Sequence, residues 1–204
     1  MYKFLDLAST PSVRAAQAAN GSREMWDRVD GDRTFDRFTE DERAFIAARD
    51  SFYMASVSET GWPYVQHRGG PPGFLKVLDD KTLGFADFRG NRQYISLGNT
   101  AANDRVALIL VDYPNRARLK ILAHLETRPL AEVPELALPG YKAKPERAFV
   151  LHLETFDWNC PQHITPRFTA AELEPLRAQI AALEAENAAL RLAARAASGS
   201  DRSG

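Results

Sequence analysis

Cations and glycines crowd a short part of this chain. Arg68-Gly-Gly-Pro-Pro-Gly-Phe-Leu-Lys76 is followed by a strand-turn-strand and then by Phe88-Arg-Gly-Asn-Arg-Gln93. Glycines at 69, 70 and 73 let backbone amides come close to a ligand, and the two prolines hold the chain extended without donating hydrogen bonds. Arg68 and Lys76 flank that run. Asn91, Arg92 and Gln93 stand where a helix should begin, and free amides and the helix dipole favour an anion there. Two cationic clusters at the ends of apolar strands suit a phosphate-bearing cofactor, because a dianionic phosphate needs several charge-assisted donors and arginine supplies them in pairs. Arg92 is the best single candidate. The competing reading is that Gly-Gly-Pro-Pro-Gly only breaks an edge strand and that the charges are solvated.

The elements that must position these residues are legible in outline. Pro11 after Thr10 suits a first helical position, with a stop at Asn20-Gly21. Met25, Trp26 and Val29 give a short helix one apolar face, ended by Asp30-Gly31-Asp32. Thr39 with Glu42 forms a capping box for a helix ending near Asp50. From Ser51 the period becomes strand-like: 52–58 and 62–68 flank Glu59-Thr60-Gly61, 74–78 and 82–88 flank Asp79-Asp80-Lys81, and 105–112 and 117–127 flank Tyr113-Pro114-Asn115. A last strand covers 146–156, and residues 91–103 hold a short helix. Six or seven mostly antiparallel strands with short hairpins predict a closed barrel, which would remove exposed edges.

Composition narrows the function classes. The 204 residues, 45% hydrophobic, suffice for one substantial core. A net charge of -1 from 26 basic and 27 acidic residues gives no global field toward nucleic acid or anionic membrane, so an anion site must be local. One cysteine, Cys160, excludes an intrachain disulfide framework and a cysteine-based zinc site. Neither a signal peptide nor an apolar run of about 18 residues is present, so a cytoplasmic protein with no membrane partner is expected. His67, His124, His152 and His163 show no metal-ligand spacing, and no metal is expected. Without a Gly-x-Ser-x-Gly elbow, nothing supports hydrolysis.

Residues 50–128 resemble the flavin-binding split-barrel superfamily of pyridoxamine 5'-phosphate oxidase, in a branch with a His-Arg-Gly-Gly-Pro-Pro-Gly-Phe run and an Asn-Arg phosphate loop. The likeness extends to His163 and Arg167. It implies a mainly β fold with flanking helices, a six- to seven-stranded antiparallel split β-barrel over 51–168; around it the residue patterns place a helical N-terminal extension over 1–50, a C-terminal amphipathic or coiled-coil helix over 169–197 and a disordered tail over 198–204. It implies FMN as cofactor, with deazaflavin and haem as alternatives, and a homodimer with flavin at the subunit interface. Residues implied at the cofactor are Arg68, Gly73, Phe74, Lys76, Asn91, Arg92, Gln93, Arg118, Trp158 and Arg167. Lys76 matches a phosphate- or ring-contacting strand Lys, Asn91-Arg92-Gln93 the phosphate-gripping triplet, and Arg118 a ring-contacting Gln. Trp158 and Arg167 resemble the closing Trp and Arg, and His163 is placed for a substrate or flavin contact. The family's strand Arg would fall near Pro71, so Arg68 replaces it by a different backbone path. Ile164 and Pro166 stand where the oxidase has a further Arg and His, so a substrate other than pyridoxamine phosphate is expected.

In the tail, Leu173, Leu176, Ile180, Leu183, Asn187 and Leu190 alternate in steps of three and four after a capping box of Thr169 and Glu172, as in a parallel dimeric coil. A kink or late start is expected at Pro175. An amphipathic helix lying on its own barrel is the alternative. Three functions follow: an FMN-dependent oxidoreductase of unknown small-molecule substrate, a non-catalytic flavin carrier or sensor, and a zipper-type DNA-binding regulator. The last is disfavoured because one arginine, not a basic region, precedes the coil.

Overall fold

The computed structural model describes residues 2–28, 33–159 and 161–200, leaving aside the side chains of 195–200. Cys160 and the Asp30-Gly31-Asp32 stop lie outside the described residues, as do residues 201–204 of the expected disordered tail. The chain forms two compact units, one of Met1–Asp112 with Arg116–Ile164 and one of Tyr113–Asn115 with Thr165–Gly204.

In the first unit four helices, α1 (Lys3–Ala8), α2 (Pro11–Ala19), α3 (Arg23–Asp27) and α4 (Glu40–Ala47), precede the sheet. Local chemistry sets two of the starts. Thr10 accepts from the Val13 amide ahead of Pro11, and Thr39 and Glu42 form the capping box, with the Thr39 amide donating to Glu42 Oε2 at 3.0 Å. The strands are β1 (Ser51–Val57), β2 (Pro63–Gly69), β3 (Lys76–Val77), β4 (Thr82–Phe88), β5 (Arg105–Asp112), β6 (Ala117–Arg128) and β7 (Pro145–Asn159), with α5 (Ile95–Ala102) between β4 and β5. They pair antiparallel in the order β2-β1-β5-β6-β7-β4-β3. The sheet is therefore open rather than closed: β2 and β3 are its two edges, which corrects the closed barrel and agrees with a split one. The strand expected over 74–78 shrinks to Lys76–Val77 because Phe74 and Leu75 turn into the core instead of following the edge.

Alternation decides which faces meet. In β1, Phe52, Met54 and Ser56 point inward, and β5 and β6 do the same with Val106, Leu108, Leu110 and Leu119, Ile121, Ala123. Phe85 stands edge-on to Phe52 at 5.3 Å and to Phe149 at 5.5 Å, and Phe52 stacks on Phe74 at 5.6 Å. Such pairs contribute about 0.5–1.5 kcal/mol each beyond their buried area. Phe35 and Phe38 cover Phe156 from outside the sheet, fixed where the Phe156 amide donates to the Phe35 carbonyl at 2.9 Å. Two 3-10 turns, Leu130–Glu132 and Pro134–Leu136, carry Val133 and Leu136 onto Ala148 and Val150. This second small core explains why β4 is buried on both faces.

In the second unit α6 (Ala170–Ser200) begins with the Thr169–Glu172 box, the Thr169 amide donating to Glu172 at 2.7 Å. It runs unbroken past Pro175, so the late start expected there is not found. Pro175 sits within the first two turns, where few backbone bonds precede it. No helix among the described residues is long and apolar enough to cross a membrane.

Candidate functional site

β2 delivers Tyr64, Gln66 and Arg68 to one face because alternate residues of a strand share a side. Opposite them, the ends of β4 and β7 bring Asp87, Phe88, Glu146 and Phe149, and the loop Gly90–Gln93 with the start of α5 closes the third side. The resulting cleft measures about 190 Å³. Arg68, Asn91, Arg92 and Gln93, four of the expected cofactor residues, line it together.

The loop is held by its own side chains. The Gln93 amide donates to Asn91 Oδ1 at 3.1 Å, and Asn91 Nδ2 donates to Gln93 Oε1 at 3.0 Å. Arg92 and Tyr94 adopt left-handed backbone, φ 65° and 53°, which is uncommon for residues with a side chain and costs on the order of 1 kcal/mol each. Tyr94 stands at the N-cap of α5 and supplies no side-chain cap. The first amides of a helix have no intrahelical acceptor, so those of Ile95, Ser96 and Leu97 stay available at the cleft. Tyr94 is braced by its hydroxyl on Glu146 Oε1 at 3.3 Å and by the Arg147 guanidinium 5.1 Å over its ring.

Charge runs through the cleft as a chain of ion pairs. Arg68 Nη1 meets Asp87 Oδ1 at 2.8 Å, Arg147 Nε lies 3.6 Å from Asp87 Oδ2, and Arg147 Nη2 donates to Glu146 Oε2 at 2.9 Å. Arg89 Nε reaches Glu146 at 3.6 Å. Arg68 also lies over the Phe149 and Phe85 rings at 5.5 and 5.8 Å. Burial pushes the Asp87 carboxyl above its usual value although Arg68 and Arg147 oppose the shift, and burial likewise lowers the Arg68 guanidinium. Desolvation thus outweighs attraction for both partners, as is common for buried pairs. Arg68 Nε is buried without a hydrogen-bond partner. Arg92, by contrast, is exposed, and no ion pair or hydrogen bond engages its side chain among the described residues.

The other expected residues lie elsewhere. Phe74 is buried in the aromatic core and Gly73 forms the corner, its amide on the Arg49 carbonyl at 3.2 Å with φ 78°. A Cβ on Gly70 would come within 2.7 Å of Phe74. The Gly-Gly-Pro-Pro-Gly run is thus explained by the turn and by close packing, and Gly73 and Phe74 do not line the cleft. Lys76 Nζ donates to the Glu135 and Ala137 carbonyls at 2.6 and 3.3 Å, tying β3 to the second 3-10 turn, and does not line the cleft. Trp158 and Arg118 lie on neighbouring rungs at the far end of β6 and β7, where Arg118 pairs with Asn159. Trp158 Nε1 donates to Glu42 Oε1 at 2.6 Å, and its ring meets Phe45 edge-on at 4.8 Å. Arg118 Nε, like that of Arg68, is buried without a partner. Arg167 belongs to the second unit, its guanidinium 5.0 Å over the Tyr113 ring. His163 is exposed with φ 64° and does not line the cleft.

Asp87, Glu146, Tyr64, Gln66 and Tyr94 were not singled out by the sequence. Asp87 carried a signal: a lone charge inside the apolar run Thr82–Phe88 requires a buried partner, and Arg68 is that partner. His124 and His152 bond to Asp104 and Glu126, both at 3.0 Å, and no group of three metal-ligating side chains occurs among the described residues.

The family model described as pyridoxamine 5'-phosphate oxidase matches residues 38–151. No curated protein matches the sequence. Among solved structures, HupZ of Group A Streptococcus is 16% identical, with 64% of this chain and 99% of that one covered and a TM-score of 0.49. A Clostridium acetobutylicum protein related to general stress protein 26, of the pyridoxinephosphate oxidase family, is 15% identical over 66% of this chain and 95% of that one, with a TM-score of 0.44. An FMN-binding protein from Syntrophomonas wolfei is 14% identical over 73% and 95%, with a TM-score of 0.42.

Proposed function

Because the chain belongs to the pyridoxamine 5'-phosphate oxidase family, we propose that it is an FMN-binding oxidoreductase acting on a small molecule, with the flavin phosphate held between Arg92 and the start of α5. The observation that carries this reading is the convergence of Arg68 and Asn91–Gln93 on one cleft at an uncapped helix start. The residues fit a phosphate on three counts. Arg92 has no competing ion pair among the described residues, the uncapped first turn of α5, Ile95 to Leu97, lines the cleft, and Arg68 Nε is a buried donor without an acceptor.

A cleft of about 190 Å³ is smaller than the roughly 300 Å³ at which sites for drug-sized ligands begin. One chain therefore offers room for the phosphate end and not for the rings. In this reading a second copy supplies the rest, bringing its Arg118 and Trp158 to the rings of a flavin whose phosphate the first copy holds. The exposed apolar side chains Tyr53, Val57, Trp62 and Val65 of β1, β2 and their hairpin favour such pairing.

Bound FMN would supply hydride and single-electron chemistry. The protein's part is to bind, orient and tune. Arg118, buried with an unused donor, would stabilise negative charge gathering on the reduced ring and so raise its potential. Trp158, fixed by Glu42, would wall the ring against water.

The visible spectrum of the purified protein, with and without added FMN, tests the proposal. A flavin spectrum or quenched FMN fluorescence is expected, and a colourless protein that leaves FMN fluorescence unchanged would refute it. Arg92→Ala is expected to weaken FMN binding by about 10- to 100-fold, the worth of one charge-assisted contact. Arg68→Ala should cost less, because Asp87 already neutralises Arg68; the reverse order would overturn the phosphate assignment. Reduction by NADH or NADPH and reoxidation faster than that of free FMN would separate an enzyme from a carrier.

A further inference from the structure

Helix α6 carries a stripe of exposed apolar side chains. Leu176, Ile180, Leu183 and Leu190 are each 47–61% exposed. With Leu173 and Asn187 they recur in steps of three and four, so Leu173, Ile180 and Asn187 occupy a positions and Leu176, Leu183 and Leu190 occupy d positions of a heptad. At 31 residues the helix is well beyond the roughly 12–15 below which isolated helices are marginal. Pro175 falls at an outward c position, so its missing amide lies away from the stripe.

We propose that this stripe is covered by the same helix of a second copy, parallel and in register, forming a homodimeric coiled coil. The flanking charges select that occupant and that direction. The g positions are Glu172, Gln179 and Glu186, and the e positions Arg177, Glu184 and Arg191. In a parallel pair each g faces the next e of the partner, which sets Glu172 against Arg177 and Glu186 against Arg191. Among the described residues neither Glu186 nor Arg191 forms an ion pair, whereas Glu172 is already held by Thr169. In the antiparallel pair of full overlap, g faces g and e faces e. Glu172 then meets Glu186, Arg177 meets Arg191 and Glu184 meets its own copy, so like charges oppose at each of these contacts.

Asn187 gives the same answer independently. Its Nδ2 donates to the Leu183 carbonyl at 3.0 Å, and its Oδ1 accepts no hydrogen bond among the described residues. A parallel partner places Asn187 opposite Asn187, where the two amides satisfy each other. The antiparallel partner places it opposite Leu176 and leaves a buried amide unpaired. A buried asparagine at a is the device that fixes register and two strands in coils of this kind.

Disulfide trapping in the full-length chain, in a Cys160→Ser background, tests the arrangement. Leu190→Cys places one thiol at a d position, where parallel in-register helices bring the two copies within the Cα separation a disulfide needs. Ala188→Cys places it on the outer face. After equilibration in a glutathione redox buffer, Leu190→Cys should give at least ten times the disulfide-linked dimer of Ala188→Cys on a non-reducing gel. Equal linkage of the two would mean that unstructured tails collide. Linkage that requires mixing Leu190→Cys with Leu173→Cys chains would mean an antiparallel coil. Either outcome, or the absence of linkage in Leu190→Cys, overturns the proposal, as does a monomer mass for the unmodified full-length chain by light scattering. None of these readouts involves flavin, so their failure is distinct from failure of the flavin proposal.

Discussion

Replacing Glu42 should loosen the N-terminal helices from the sheet by an amount that the geometry allows one to work out. Its carboxylate is 5% exposed and accepts from the Trp158 indole at 2.6 Å, the Thr39 amide at 3.0 Å and the Thr39 hydroxyl at 2.6 Å. Loss of the capping box in Glu42→Ala costs about 1 kcal/mol. Loss of a charged acceptor for the indole costs about 1.5–3 kcal/mol when the donor stays dry. Trp158 is 36% exposed, so water can recover part of that bond and roughly 1 kcal/mol remains. The expected destabilisation is about 2 kcal/mol, or a Tm lower by about 4–8 °C for a protein of this length. Glu42→Gln keeps the box and an acceptor, and should lose about half as much.

The pH dependence supplies the sharper check. Burial pushes the Glu42 carboxyl up, but the bonds from Thr39 and Trp158 outweigh it and leave the folded pKa below that of an ordinary glutamate. A carboxyl with a depressed folded pKa contributes stability above its unfolded pKa and loses it as pH falls through the folded one. The gap between the native protein and Glu42→Gln should therefore be full at pH 7 and narrow progressively below about pH 4.5 in urea denaturation. A Glu42→Ala loss under about 0.5 kcal/mol, within the range of neutral surface changes, would refute the reasoning. So would a Glu42→Gln gap that does not change with pH.

Other consequences are open to the same measurements. Gly70→Ala should destabilise by about 1–3 kcal/mol, because its Cβ would sit 2.7 Å from Phe74 in a packed corner; a neutral result would show that the corner yields freely. Asp87→Asn should destabilise by no more than about 1 kcal/mol at pH 7, because burial already disfavours the charged carboxylate in spite of Arg68 and Arg147. The Asp87 folded pKa is raised, so protonation of this group favours the fold at acid pH and that contribution is lost as pH rises from the usual carboxylate range through the folded value. Asp87→Asn should remove this slope, and its persistence in the variant would assign it to another carboxyl.

Much of this fold could be read locally. The Thr39–Glu42 box and the alternation in β1 and β6 depend on residues within a few positions of one another, and they appear in the structure where they were expected, whereas β5, apolar enough to read as buried on both faces, alternates as well. Closure of the sheet was not legible, because whether β2 meets β3 depends on pairings between distant segments. Lys76 shows the same limit at the site. Its direction is set by carbonyls at 135 and 137, in 3-10 turns that carry no periodic signal. The Gly-Gly-Pro-Pro-Gly run misled for a different reason: glycine permits close approach of a ligand and of a Phe74 ring alike, and here the ring is what comes close. Asn91, Arg92 and Gln93 came out beside Arg68 because a loop between a strand end and a helix start has little freedom to go elsewhere.

The length of β7 has a consequence for stoichiometry. Its Pro145 end borders the cleft, its Asn159 end carries Trp158 opposite Leu119, and about 35 Å of strand lies between Arg147 and Trp158. The cleft lining in one chain includes neither Trp158 nor Arg118. A ligand that touches both ends must borrow one of them from another molecule, so its affinity depends on how much protein is present as well as on how much ligand. Dilution would then release such a ligand with no change in any contact. Two variants each defective at opposite ends would, when mixed, regain one whole site for every pair of chains.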